Sequence, residues 1–261
     1  MTDRKLLVSA GPHVRGGAST TSVMGDVLIA LLPAVVASVL VFGTRALLLE
    51  VVCVAASILF EYLFRRITKR TNTISDLSAA VTGLLLAMNL PAGFPIWMAI
   101  VGCFVAIVIV KQLFGGLGQN FANPAIVARI VLMLSFTSNM TTWVIPRYWK
   151  SDSDVITGAT PLVTGTASYR DLLLGNTGGC IGETCAIALI IGGVYLMIRR
   201  IISPSTPLAF IGTVALLNLI AGNDVIYQLL SGGLLLGAFF MATDYAVSYT
   251  HLRAHETLSD L

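Results

Sequence analysis

The chain is poor in charge: only 11% of its 261 residues are Asp, Glu, Lys or Arg, against about 25% in an average soluble domain. That scarcity excludes an ordinary water-facing surface. The formal net charge of +3 is small and no basic run is interleaved with aromatics, so nucleic acid is not expected as a partner. Histidine is scarcer still, with His13 ahead of the first apolar segment and His251 and His255 near the far end. Without it there is no acid–base dyad, zinc pattern or Ser–His–Asp set, and no Walker loop is present either. Chemistry run by the chain's own side chains is not expected, which leaves open chemistry run by a bound cofactor. The four cysteines form no disulfide framework. Cys53 and Cys103 lie inside apolar stretches, where a free thiol behaves as a small hydrophobe. Cys180 and Cys185 flank "IGET" with no metal-ligand offset and no His nearby, so no metal site is expected. The opening "MTDRKLLVSAGPHVRGG" lacks the apolar core of a cleaved signal, so the first apolar segment is expected to stay in the mature protein.

What the chain has in abundance is apolar sequence: 56% of it is hydrophobic, with a mean hydropathy of +0.87. Crossing a bilayer takes about 20 mostly apolar residues. Eight such segments are expected: Met24–Gly43, Ala46–Phe64, Leu77–Leu90, Phe94–Phe114, Pro124–Phe136, Ile181–Ile198, Leu208–Ala221 and Val225–Ala242. The fold class is therefore all-α, a polytopic membrane protein embedded in the lipid bilayer. Several segments are short, and short or broken spans in matching positions of two halves point to a site at the repeat interface. Lys and Arg set the orientation. With the N-terminus inside, the cytoplasmic side collects Arg4, Lys5, Arg15, Arg65, Arg66, Lys69, Arg70, Lys111, Arg199 and Arg200. The other side receives Arg45, Arg147, Lys150 and Arg170, so the long loop from Thr137 to Cys180 is expected to face outward.

A weak internal echo links "FGGLGQNFANPA" after the fourth segment to "LGAFFMATDYAVS" at the end of the eighth. Each puts a polar Asn or Asp in a small-residue turn after an apolar helix. Equivalent halves would place a further helix after Asp244, yet the chain turns into "YTHLRAHETLSDL". Residues 1–246 are therefore expected to be the membrane domain, and 247–261 an appended, non-native tail replacing the last part of it.

Charges within membrane spans are costly and are functional candidates by default. Asp26, Asp76 and Asp224 sit at segment starts, where a carboxylate caps a helix. Glu50 and Glu61 lie toward the two ends of the second segment, from which they could reach an interface. Arg129 has no adjacent acid and needs a carboxylate, a phosphate or a wet cavity. Glu183 and Asp244 raise the same question, and an ion path is one answer for both. Gln119, Asn120, Asn123 and, less clearly, Asn89 form a second group: they satisfy backbone where helices break, or they bind a planar polar ligand there.

One loop fits none of these classes. "DVITGATPLVTG", Asp154 to Gly165, holds small residues and hydroxyls and nothing for acid–base work. "TGATPL" resembles the S/T-G-A-T signature at which FMN is joined through its phosphate to a threonine. That signature occurs in membrane subunits of the Rnf electron-transport complex and of the related sodium-pumping NADH:quinone reductase. "GPHVRGGASTTSVMGDVLIALLP", "SDLSAAVTGLLLAMNLP", "FGGLGQNFANPAIVARIVL", "GGCIGET" and "GAFFMATDY" also resemble the D subunit of the Rnf complex, in the right order from Gly11 to Tyr245.

The resemblance implies ten helices in two inverted five-helix repeats, of which eight are present here. It implies covalent FMN on Thr160, with Gly158 and Ala159 giving close access. A second, non-covalent flavin such as riboflavin would meet Gln119, Asn120 and Asn123, with Arg129 balancing the charge of a reduced flavin. Glu183 and Asp244 would serve the ion path. The implied function is the membrane flavoprotein subunit of an Na⁺- or H⁺-translocating ferredoxin:NAD oxidoreductase. The implied partners are the A, B, C, E and G subunits of the Rnf complex and a flavin transferase, and the implied location is the bacterial inner membrane. The alternative from another class is a urea-channel-like solute channel of similar architecture without flavin, which has no use for TGAT.

Overall fold

The computed structural model describes residues 20–70, 73–147 and 157–244, and every apolar segment within them is helical. α1 (Thr20–Phe42) and α2 (Thr44–Ile67) have 23 and 24 residues. At 1.5 Å per residue, each suffices alone for the roughly 30 Å of a bilayer core. Gly43 joins them directly, with φ at 75°, a conformation that costs glycine nothing. α3 (Ser78–Met88) and α5 (Pro124–Ser135) have 11 and 12 residues and reach only part-way. Between them α4 (Ile96–Phe104) continues without a break into a π-helical segment, Val105–Gln112. The long loop opens with α6 (Thr137–Met140) and β1 (Trp143–Val144), and closes with β2 (Thr157–Gly158), α7 (Pro161–Thr164) and α8 (Tyr169–Leu174). β1 and β2 pair antiparallel, with Trp143 opposite Gly158. α9 (Ala186–Ile198) and α10 (Ser205–Ile220) follow.

The eighth segment departs from the continuous span expected. It is α11 (Val225–Leu230), a turn at Ser231–Gly233, and α12 (Leu234–Leu236) running into a second π-helical segment, Gly237–Met241. Gly232 has φ at 69°, and a continuous helix cannot pass through that backbone conformation.

Apolar and polar residues are arranged as a membrane demands. Large side chains such as Leu134 and Ile220 are 79% and 74% exposed, while Glu61, Gln112 and Asn120 are fully enclosed. In water that distribution would be unfavourable on both counts; in hydrocarbon it is the favourable one. Helices meet through small residues. A Cβ on Gly83 would stand 2.7 Å from the Cys53 carbonyl of α2, and one on Gly192 would stand 2.1 Å from the Ala30 carbonyl of α1.

The connections sort to two ends. At one, the Arg147 N–H donates to Val41 O at the end of α1, Cys180 bridges to Pro91, and Tyr169 reaches Asp224. At the other, Thr21 donates to Ser75 O and Arg199 pairs with Asp26. The echoing turns also meet: Asn123 Nδ2 donates to Asp244 Oδ2 at 3.0 Å, and each turn follows a π-helical segment. The boundary expected at residue 246 and the tail 247–261 lie outside the described residues.

Three sequence readings are corrected. Asp26 does not cap its helix, because α1 begins at Thr20; its carboxylate instead accepts from Tyr195 Oη at 3.0 Å and Arg199 Nη2 at 3.1 Å. Glu50 and Glu61 do not reach an interface, being 3% and 0% exposed. Lys111, read as a cytoplasmic topology marker, is buried against Glu61, with Nζ to Oε2 at 2.8 Å. Asp224 does cap α11, accepting the Tyr227 N–H, and Asp76 accepts from Ser78 at the start of α3.

Candidate functional site

Thr160 stands between β2 and α7 with extended backbone, φ −71° and ψ 155°, in the position that precedes the first helical residue. A threonine there ordinarily turns its hydroxyl onto the free N–H groups of the helix. Thr160 makes no such bond to the helix that begins at Pro161. The hydroxyl is thus free of the local duty that usually consumes it. Gly158 and Ala159 before it are exposed, so approach from outside is open.

Behind Thr160 lies a cavity of about 210 Å³. Its lining includes Arg129, Trp143, Thr160, Glu183, Gly232 and Gly233, drawn from α5, the long loop, the turn before α9 and the break in the eighth segment. Three residues singled out separately in the sequence, Arg129, Thr160 and Glu183, therefore share one wall.

Each is placed by its backbone. Residues 180–182 run beside the end of α3, with the Ile181 N–H on Leu90 O at 2.9 Å and the Gly182 N–H on Met88 O at 2.9 Å. This brings Cys180 and Glu183 to Asn89. Arg129, on α5, donates from Nη1 to Asn89 Oδ1 at 2.6 Å and from Nη2 to Cys180 Sγ at 3.5 Å. Among the described residues no carboxylate forms an ion pair with it. Burial pushes the Cys180 thiol well above its usual range, so that sulfur is neutral and does not balance the guanidinium. Glu183 folds back to accept the Cys180 N–H at 2.9 Å. Its other oxygen would stand 2.9 Å from a Cβ on Gly233, so the break can come this close only because that residue is glycine. Among the described residues the wall therefore presents a cation with neutral partners, a hydroxyl without a capping bond and an indole, which suits a ligand carrying both a phosphate and a flat ring.

The model of the NQR2, RnfD, RnfE family matches residues 7–255. The chain belongs to that family. It is 48% identical to the D subunit of the Na(+)-translocating ferredoxin:NAD(+) oxidoreductase complex of Acetobacterium woodii, over 95% of this chain and 80% of that protein. It is 39% identical to the proton-translocating counterpart of Clostridium ljungdahlii, over 91% and 78%. A third relative, the D subunit of the ion-translocating oxidoreductase complex of Rhodobacter capsulatus, is 34% identical over 92% and 78%. Membership in the NQR2, RnfD, RnfE family accords with the all-α, polytopic membrane architecture described above.

Other expected site residues of this family member lie elsewhere. Asp244 is bound to Asn123 and is not part of the cavity wall, so the structure does not bring the two expected ion-path carboxylates together. Asn123 also accepts the Ala125 and Ile126 N–H groups as the cap of α5, so its oxygen is engaged with the helix and its nitrogen with Asp244. Gln119 is exposed, its amide lying over Gly115. Asn120 is different: it is fully buried, and among the described residues neither amide atom has a partner. Gln112, not singled out from the sequence, is in the same condition at the end of the π-helical segment. An amide at the end of an apolar run was the only sequence signal available, and it is a weak one. Among the described residues no cluster of His, Cys, Asp or Glu is fit to hold a metal ion.

Proposed function

We propose that this chain is the flavin-bearing membrane subunit of an ion-translocating ferredoxin:NAD oxidoreductase complex, with FMN joined by a phosphoester to Thr160 Oγ1. The observation that carries the reading is the shared cavity. A threonine without its usual capping bond and an arginine that, among the described residues, has no ion pair line the same cavity. A flavin there supplies one- and two-electron transfer. Arg129 holds positive charge where the phosphate or a reduced ring brings negative charge, and Trp143 offers a flat apolar wall. Gly158 and Ala159 leave room for the attaching enzyme. Moving one charge against about 150 mV costs roughly 3.5 kcal/mol, which a two-electron drop of about 75 mV supplies.

The other members of the complex, its A, B, C, E and G subunits, and a flavin transferase are the partners this reading requires. It places the chain in the bacterial inner membrane with the Thr160 loop on the outer face. The relatives' names give sodium in one case and protons in another, so the ion is left as either. A second flavin, of the riboflavin type, is assigned to Asn120, whose amide is buried and, among the described residues, without a partner. Glu183 is kept as an ion-path residue beside the first flavin, and Asp244 as one beside Asn123.

The test is flavin fluorescence in a denaturing gel after expression with a flavin transferase. The wild-type band is expected to fluoresce and the Thr160→Ala band to be dark. A dark wild-type band, with the transferase active on a control, overturns the covalent assignment and favours the flavin-free channel.

A further inference from the structure

The segment around Thr160 is poorly held by its own bonds. α7 is a single turn, closed by the Thr164 N–H on Thr160 O at 3.1 Å and the Gly165 N–H on Pro161 O at 2.8 Å. A helix of four residues has no stability of its own in water. Leu162, Val163 and Thr164 are exposed and contribute little burial. The pairing of β2 with β1 holds the chain up to Gly158, and on the α7 side something outside the segment must fix Thr160 against the cavity.

One hydroxyl, on Tyr227 of α11, does so from both sides. Tyr227 Oη donates to the Pro161 carbonyl at 2.9 Å and accepts the Ala167 N–H at 3.4 Å, bracketing α7 front and back. Tyr227 is itself held. Asp224 accepts its N–H at 3.1 Å, and the other oxygen of Asp224 accepts the hydroxyl of Tyr169 at the start of α8. The two tyrosine rings meet edge to face at 6.4 Å. Leu162 adds one apolar contact, since a Cβ on Gly232 would stand 3.0 Å from its Cδ1.

We propose that Tyr227 is the positioning residue of the flavin-carrying segment, with Asp224 and Tyr169 closing the clasp. It ties Thr160 to the short helix directly before the break at Ser231–Gly233. The flavin's place in the cavity is thereby coupled to the broken span, whose glycines face Glu183 and Leu162. This rests on the reading that Thr160 bears FMN, but the mechanical part does not.

The experiment uses the full chain in detergent, with Tyr227→Phe, which keeps the ring and removes both hydrogen bonds. Hydrogen exchange of the 162–168 amides is compared in the Thr160 and Thr160→Ala backgrounds, so the clasp is judged with or without flavin. Exchange in the Tyr227→Phe chain is expected to rise about tenfold in both backgrounds, as for two lost neutral hydrogen bonds, with α1 and α2 unchanged. In the flavin-loaded chain, covalent flavin per protein stays at the wild-type level while iodide quenching of the native flavin becomes several-fold stronger. Tyr169→Phe, which opens only the far side of the clasp, gives a smaller change in the same direction. Exchange within twofold of wild type in the Tyr227→Phe chain overturns the clasp. Faster exchange with unchanged quenching of the loaded flavin overturns the positioning role. A wild-type chain without covalent flavin sinks the proposed function instead, and the exchange data still decide the clasp.

Discussion

Lys111 carries an ammonium to a place where only 2% of the residue is exposed, and Glu61 and Ser78 receive it at 2.8 and 2.6 Å. The far oxygen of Glu61 accepts from Thr73 at 2.7 Å, so the carboxylate is bonded on both sides. A pair this enclosed adds little over an apolar pair of the same shape, because desolvation offsets the attraction. Removing one partner is another matter, since it strands the other charge. Lys111→Met is therefore expected to destabilise the protein by about 3–5 kcal/mol. The double change Lys111→Met with Glu61→Gln should recover most of that, and thermal unfolding in detergent measures both. A double variant as unstable as the single one would show that shape, not charge, holds the site. The pairing was not legible in the sequence, where the partners stand 50 residues apart and Lys111 looks like a topology marker. Thr160, Arg129 and Glu183 were each legible as residues needing an explanation. That they share a cavity was not, because the pairing of residues 180–182 with the end of α3 leaves no periodic trace.

Helices were legible where apolar sequence runs long, as in α1 and α2, and misread where a short Ser-Gly-Gly run interrupts an apolar stretch. "VIYQLLSGGLLLGAFFMA" is mostly apolar but carries Ser-Gly-Gly in its middle, and the positive φ at Gly232 splits it into α11 and α12. The cap of α11 was read correctly from Asp224, but its second role was not. The Tyr169 hydroxyl bond and the Tyr227 N–H hold the Asp224 carboxyl below its usual 3.8, and the same Asp224 holds the Tyr169 hydroxyl above its usual 10.0. A depressed acid contributes stability above its unfolded value, and that contribution is lost as pH falls through the lower folded one. A raised phenol contributes below its unfolded value and loses it as pH rises through the higher folded one. The link between α8 and α11 should accordingly be at full strength from about pH 4 to about pH 10, weaken beyond either limit, and open only once pH passes the depressed carboxyl on the acid side or the raised phenol on the alkaline side. Alkaline titration of tyrosine absorbance checks it: the Tyr169 phenol titrates late in the wild type, and Asp224→Asn returns that phenol to the normal range. Identical titrations would remove the link.

At the scale of the whole molecule, the exposure of apolar groups agrees with the low charge and high hydropathy of the chain, and the polytopic helical fold was legible from the length and order of its apolar segments. The internal echo was only a suggestion there, because the two turns share no residue pattern beyond a polar group after small ones. The structure gives it content. Both turns follow π-helical segments, and they bind each other through Asn123 and Asp244 at 3.0 Å, across 121 positions of the chain. An amide donating to a carboxylate is worth about 1.5–3 kcal/mol, twice a neutral bond, provided the pair is sheltered from water. Asn123 is nearly enclosed, so the contact should act as a seam between the halves rather than a surface ornament. A double-mutant cycle with Asn123→Ala and Asp244→Ala separates that seam from the cap Asn123 provides to α5, because the cap is lost in both branches that carry the alanine at 123. A coupling above about 1 kcal/mol in thermal unfolding is the expected outcome, an amount typical of residues in direct contact. Additive effects would mean that the two turns merely lie side by side, with the packing of α1 on α9 and the bonds of Asp26 to Tyr195 and Arg199 still joining the halves.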